Sequence, residues 1–197
     1  IKLSVFNNSY QAVRILNQAA PNITNCSFCY NDYPVEIREK GLGLIQHNKI
    51  FENEMAGITI ATEANPHIEN NTIRNGKSAG IAILEKATGN ITSNQIFENE
   101  RAGIYITTES NPHIENNTIR NGLDAGIFVD EKATGTITNN QIFENESSGI
   151  AVTTEANPHI ENNTIRNGKS AGIYVLEKAT GTITNNHIFE NESAGIY

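Results

Sequence analysis

A Gly-Ile step recurs every 23 residues, at Gly57, Gly80, Gly103, Gly126, Gly149, Gly172 and Gly195, through nearly the whole 197-residue chain. A period of this length marks a stacked repeat architecture. Branched aliphatics return at four phases of each period, as in Ile58, Ile60, Ile68 and Ile73, and the residues between them are mostly Asn, Thr, Glu and Gly. Burying one Ile contributes roughly 1.5 to 3 kcal/mol, while ordering the backbone costs roughly 1 to 2 kcal/mol for every residue. A single repeat loses that contest, so neighbours must stack.

With Gly57 as phase 1, the phase-2 column reads Val13, Val35, Ile58, Ile81, Ile104, Ile127, Ile150, Ile173 and Ile196, and phase 4 runs from Ile15 to Val175. The alternation of these columns with polar or variable residues is that of a strand with one buried face, too short for a helical stripe. Phases 12 and 17 add Ile68 and Ile73, then Ile91 and Ile96, as two further short strands. Each period is thus one coil of a solenoid. Every strand lies beside its counterpart in the next coil, and about eight coils rise roughly 40 Å.

The turns fit this plan. Asn48, Asn71, Asn94, Asn117, Asn140, Asn163 and Asn186 form a column broken only by Cys26, and such amides hydrogen-bond up and down a stack. Corners are marked by small residues such as Ala64 and Ala87, and by alternating Pro66, Gly89, Pro112, Gly135, Pro158 and Gly181. The full unit is a 46-residue double coil. Lys40, Glu63, Lys86, Glu109, Lys132, Glu155 and Lys178 alternate up one edge, placing opposite charges on adjacent rungs. Phe51, Arg74, Phe97, Arg120, Phe143, Arg166 and Phe189 alternate up another, which predicts each guanidinium between two rings. Both ladders read as register devices.

The expectation is one domain over 1–197, with an atypical first coil at 12–33 and regular coils at 34–194. A net charge of −8 with interleaved Glu, Lys and Arg leaves no basic track for nucleic acid. No apolar run approaches the length of a membrane span. The chain begins in mid-coil at Ile1 and stops one strand into a new coil, so its ends are expected to be truncated or to stack end to end against another chain. Localisation stays open. The lone Cys26-x-x-Cys29 lacks the second ligand pair of a zinc site, and nine Asn-x-Ser/Thr sequons follow from the Asn-Thr composition of the repeat itself.

A coil reading Ala-Asn-Pro-His-Ile-Glu-Asn-Asn-Thr-Ile-Arg-Asn-Gly (64–76) alternates with one reading Ala-Thr-Gly-Asn-Ile-Thr-Ser-Asn-Gln-Ile-Phe-Glu-Asn (87–99). Over residues 12–197 this resembles the right-handed parallel β-helix repeats of the F-box-linked β-helix proteins and, more broadly, the NosD-like carbohydrate-binding and sugar-hydrolase (CASH) repeats. The resemblance implies an all-β fold, a right-handed, single-stranded parallel β-helix of about eight coils. It also implies two kinds of relative, one holding protein substrates for ubiquitin ligation, the other, pectate-lyase-like, cleaving or epimerising uronic-acid polysaccharides. No F-box segment is present. The Asn-Pro-His of 65–67, 111–113 and 157–159 is similar to the Asp-Pro-His of alginate epimerases, but Asn replaces the acid and the motif recurs every second coil, as a corner would.

A catalytic site is a single constellation, whereas a repeat copies its residues. His67, His113 and His159 stand roughly 9 to 10 Å apart, too far to share a metal, and Glu69, Glu115 and Glu161 are spaced too widely for a retaining glycosidase pair. No metal, cofactor or catalytic residue is predicted. The NosD resemblance suggests copper, but Met55 is the only Met and no His-Cys cluster accompanies it. The least repetitive outward column is phase 3 of the Gly-Ile strand: Arg14, Glu36, Thr59, Ala82, Tyr105, Phe128, Ala151, Tyr174 and Tyr197. The resemblance places a groove there in pectate-lyase-like enzymes. Tyr105, Phe128 and Tyr174, with Asp130 beside them, are the candidate binding residues. A second break, Leu123-Asp124, lies in the turn before Phe128. The expected function is a non-catalytic scaffold or binding module for a protein or a polysaccharide. The alternative is a polysaccharide-active lyase, epimerase or glycoside hydrolase.

Overall fold

The computed structural model describes residues 1–197 and contains no helix. Short strands form three parallel sheets of nine, eight and eight strands, and each coil contributes one strand to each sheet. The Gly-Ile sheet runs from Gln11–Ile15 through strands such as Ile58–Ile60, Ile104–Ile106 and Ile127–Val129 to Ile173–Val175. A second sheet follows the Pro/Gly corner, from Asn22–Thr24 through His67–Glu69 to Thr182–Thr184. The third carries the Arg/Phe column, from Val5–Asn7 through Thr72–Arg74 to His187–Phe189. Like pairs with like, as in Ile58↔Ile81↔Ile104 and Ile68↔Ile91↔Ile114. The stack extends from the Lys2↔Thr24 bridge to Ile173↔Ile196, so pairing starts ahead of residue 12.

The four aliphatic phases line the interior as one cluster of 34 buried residues. What lets a three-residue strand turn so sharply is a set of left-handed residues. Each regular coil places two in succession after the Gly-Ile strand, such as Thr62-Glu63 (φ 53° and 58°) and Glu85-Lys86 (55° and 61°), and single ones at Asn70 and Asn75 (54° and 53°). Asn tolerates this region, but Glu, Lys and Thr are strained there. Interior burial and the inter-coil ladders offset that strain. The repeating Gly is required by close approach: a Cβ at Gly126 would lie 2.5 Å from the Ile142 Cγ2 and 2.7 Å from the Gly149 carbonyl oxygen of the next coil.

The asparagine column forms a continuous buried ladder. Asn94 Oδ1 accepts from the Asn71 backbone N–H and side-chain amide (3.0 Å each), and Asn94 donates to Asn117 Oδ1 in the same way. Cys26 ends the ladder, where only a backbone donor to Asn48 Oδ1 is needed (2.9 Å). A second, interrupted column escapes sequence reasoning. Asn99, Asn145 and Asn191 accept from the backbone N–H of Gly76, Gly122 and Gly168 one coil earlier, each at 3.0 Å.

The double-coil period has a physical basis that corrects one expectation. Each guanidinium sits over one ring rather than between two: Arg74 over Phe51 (4.9 Å), Arg120 over Phe97 (4.4 Å), Arg166 over Phe143 (4.3 Å). The other ring is left because Arg120 and Arg166 donate sideways to Asn121 and Asn167 Oδ1 (2.7 and 2.8 Å), as Arg74 does to Asn75. The charged edge is interrupted in the same way. Lys40–Glu63, Lys86–Glu109 and Lys132–Glu155 pair at 3.4 to 3.8 Å across every second interface. The intervening interfaces are joined by the Thr62, Thr108 and Thr154 hydroxyls donating to Glu85, Glu131 and Glu177. Coil interfaces therefore come in two kinds, which fixes register modulo two coils.

Candidate functional site

Outward side chains of the Gly-Ile sheet escape the repeat because solvent, not a neighbouring sheet, faces them. Tyr105 and Phe128 are register partners on adjacent strands, with ring centroids 5.7 Å apart and tilted by 57°. Tyr105 lies against the small residues Ala79 and Ala82. Asp130 leaves the same strand as Phe128. Its Oδ1 accepts from the Thr153 hydroxyl (2.9 Å) and its Oδ2 from the Tyr105 hydroxyl at a long 3.5 Å.

These contacts set the protonation states. Partial burial of Asp130 opposes its ionisation, but hydrogen bonds from Thr154, Thr153, the Glu131 backbone and Tyr105 outweigh it and hold the carboxyl below its ordinary range. Burial, with the nearby charges of Asp130 and Glu131, pushes the Tyr105 phenol up, although a hydrogen bond with Thr107 works the other way. At neutral pH the pair is thus a fixed carboxylate acceptor beside a neutral phenol.

Tyr105, Phe128 and Asp130 line one groove of about 360 Å³, together with Ser78, Ala79, Ala82, Arg101, Ala102 and Asp124. Tyr174 does not join it. Its register partner Ala151 separates it from Phe128, and its ring stacks on Tyr197 instead (5.0 Å, 19°). Arg101 is the residue sequence reasoning missed. The signal was available, since the column two residues before each repeating Gly reads Met55, Ser78, Arg101, Asp124, Ser147, Ser170 and Ser193, with two opposite charges on consecutive coils. Arg101 joins none of the molecule's ion pairs. Asp124 spends one oxygen on the Ala125 N–H (2.8 Å).

The other acid of this face is committed. Glu36 is only 6% exposed and is held by Arg14 Nε (3.1 Å), Arg38 (3.2 Å) and the Gln11 amide, while Arg38 also grips Glu85 with two bonds of 3.0 Å. On the second sheet each His pairs with the Glu two residues on, at 3.1 to 3.4 Å. No three His, Cys, Asp or Glu side chains converge as metal ligands, and Cys26 and Cys29 are buried free thiols.

Three parallel sheets wound coil upon coil around an aliphatic interior define a parallel β-helix. The family model described as right handed beta helix region matches residues 1–111 and 86–197, and the chain belongs to that family. No curated protein matches it. Among solved structures it is similar to the A-module of the Azotobacter vinelandii mannuronan C-5 epimerase AlgE6, with a TM-score of 0.67 and 16% identity over 96% of this chain and 62% of that one. The A-module of AlgE4, a mannuronan C-5 epimerase of the same organism, gives a TM-score of 0.61 at 16% identity, over 88% of this chain and 62% of that one. The catalytic domain of Agl-KA gives 0.57 at 14%, over 96% and 55%. At these identities the likeness establishes the fold, and this chain spans less than two thirds of each of the three.

Proposed function

We propose that this chain is a non-catalytic binding module that takes a carbohydrate chain on the outward face of its Gly-Ile sheet, at the groove of Arg101, Tyr105, Asp124, Phe128 and Asp130. One observation carries the reading: this is where the departures from the repeat converge in space, bringing two rings, two carboxylates and an unpaired guanidinium to a floor of alanines. Rings offer flat contact area to the C–H faces of sugars at low entropic cost, and the carboxylates accept from hydroxyl groups. A rigid stack suits such a site because its side chains are positioned before the ligand arrives. The test is a glycan array probed with the native chain and with Tyr105→Ala/Phe128→Ala. Binding by the native chain that the variant loses supports the reading, and a blank array for both defeats it in favour of a protein partner.

A second reading, a polysaccharide-active enzyme, is favoured by the fold likeness to mannuronan C-5 epimerases and to Agl-KA. Against it stands the chemistry of the groove. Asp130 is held ionised, below the ordinary carboxylate range, and is hence a weak base. Shortened or unsaturated products after incubation with polysaccharides would restore this reading.

A further inference from the structure

Aromatic pairs stand at three levels along the Gly-Ile sheet. Tyr10 and Tyr33 meet edge to face at its rim (5.5 Å, 72°), Tyr105 and Phe128 form the central pair, and Tyr174 stacks on Tyr197. Each pair joins two adjacent coils. The first and second lie four coils apart and the second and third lie three apart, or about 19 and 14 Å along the axis. Tyr33 stands three positions before Glu36 on its strand, so the first pair lies about 10 Å to the side of the column that runs Glu36, Thr59, Ala82, Tyr105, Phe128, Ala151 and Tyr174, and the positions of that column between the platforms are short: Thr59 and Ala82, then Ala151. A second hollow, of about 240 Å³, opens beside Tyr10 and Tyr33 on the same face. The face is therefore a track of three ring platforms separated by low ground.

Resting on the carbohydrate reading above, we infer that the ligand is an uncharged, unbranched polysaccharide that climbs the stack, slanting in from the rim at the first platform, and touches these platforms in turn. Length supports the direction, because a pyranose in an extended chain advances by about one rung of the solenoid, ~4.8 Å. A chain laid parallel to the strands would meet one platform only. Charge supports the class. A polyanion with one carboxylate per sugar would need a cation on nearly every rung. Arg14 and Arg38 are both spent on Glu36, and Arg38 on Glu85 as well, which leaves Arg101 as the unpaired guanidinium of the track. Asp124 and Asp130 lie in the same groove, and the chain as a whole carries a net charge of −8. Hydroxyl groups, in contrast, suit both carboxylates and the guanidinium.

The test is electrophoresis through native gels containing single polymers: neutral glucan, mannan, xylan and galactan, and anionic polygalacturonate and alginate. The expected result is retardation by at least one neutral polymer and by neither anionic one. Tyr105→Ala/Phe128→Ala should abolish it, and Tyr10→Ala/Tyr33→Ala should weaken it severalfold. Tyr10→Phe/Tyr33→Phe keeps both rings and should bind like the native chain, and an unchanged far-UV dichroism spectrum and urea midpoint for each Ala variant separates lost stacking from lost folding. Di- and trisaccharides of the bound polymer should compete poorly compared with longer oligomers. Retardation by anionic polymers alone would overturn the uncharged assignment and leave the binding reading standing. Equal retardation of the native chain and Tyr10→Ala/Tyr33→Ala would overturn the extended track. Retardation by no polymer would overturn both.

Discussion

Replacing Asn117 by Ala should destabilise the middle of the stack by roughly 2 to 4 kcal/mol. Asn117 is 1% exposed and its side chain serves both neighbouring coils. Its Oδ1 accepts from the Asn94 backbone N–H (2.9 Å) and side-chain amide (3.0 Å), and its Nδ2 donates to the carbonyls of Ile91 (2.8 Å) and Glu115 (3.1 Å) and to Asn140 Oδ1 (3.1 Å). Several partners keep a second bond after truncation. The Asn94 amide still reaches the Ile68 and Thr92 carbonyls, and Asn140 Oδ1 still accepts from the Asn117 backbone. The Asn94 N–H, inside a closed corner, has no replacement. An unsatisfied buried donor costs about 1 to 3 kcal/mol, and the lost Ile91 contact adds about 1 more.

Asn186→Ala is the internal control. Its Oδ1 accepts from the Asn163 N–H and amide (2.9 and 3.0 Å), as Asn117 Oδ1 does from Asn94, but it donates to no further rung, only to the Ile160 and Thr184 carbonyls, and its half-buried position lets water take over much of its role. That change should cost under about 1.5 kcal/mol. Urea unfolding followed by far-UV dichroism and tyrosine fluorescence gives the global difference. Amide hydrogen exchange at Asn94 gives the local one, which matters because repeat arrays open in parts. Equal costs for the two variants, or an Asn94 amide still as protected as its neighbours in Asn117→Ala, would refute the ladder argument.

Further changes test other parts of the account. Gly126→Ala forces a methyl into the Ile142 side chain and the Gly149 carbonyl oxygen, and should lower stability in urea by about 1 to 3 kcal/mol. Ser110 is fully buried where the equivalent positions hold Ala64, Ala87, Ala133 and Ala156, and its hydroxyl has no partner, so Ser110→Ala should raise stability by about 1 kcal/mol in the same assay. The Asp130 pKa is lowered from 3.8 on folding, so its stabilising contribution is complete above that value and fades as pH falls through the folded pKa. Acid unfolding of Asp130→Asn should lack this component. The same variant removes a charge facing the Tyr105 phenol, whose pKa should move down toward its ordinary 10.0 in an ultraviolet titration.

The inward half of each coil was legible because the repeat gives every copy the same surroundings, so Ile58, Ile60, Ile68 and Ile73 announce three strands and a common interior. The Asn48–Asn186 column was legible for the same reason. The Asn99–Asn145–Asn191 column was not, because a Gly at every second coil breaks its periodicity while the Gly backbone N–H still completes the bond. The left-handed pairs such as Glu85-Lys86 carry no Gly or Asn to signal them, and only interior burial explains their tolerance. On the outer face, Tyr105, Phe128 and Asp130 stand out because the period fails in their columns. Arg101 lies outside those columns, two residues before the repeating Gly, and only the fold brings it to the groove edge. Tyr174 shares a column with Tyr105 but not a neighbourhood, since spacing along a column fixes height and says nothing of which small residue, here Ala151, intervenes.

The most direct test of the central claim is the ring resonances of selectively labelled Tyr and Phe, followed by NMR while long neutral oligosaccharides are titrated into the native chain. The account predicts that Tyr105 and Phe128 shift first and furthest, while Phe97 and Phe143, on the Arg/Phe column of another sheet, stay in place. Shifts centred on Phe97 and Phe143, with Tyr105 and Phe128 unmoved, would contradict it.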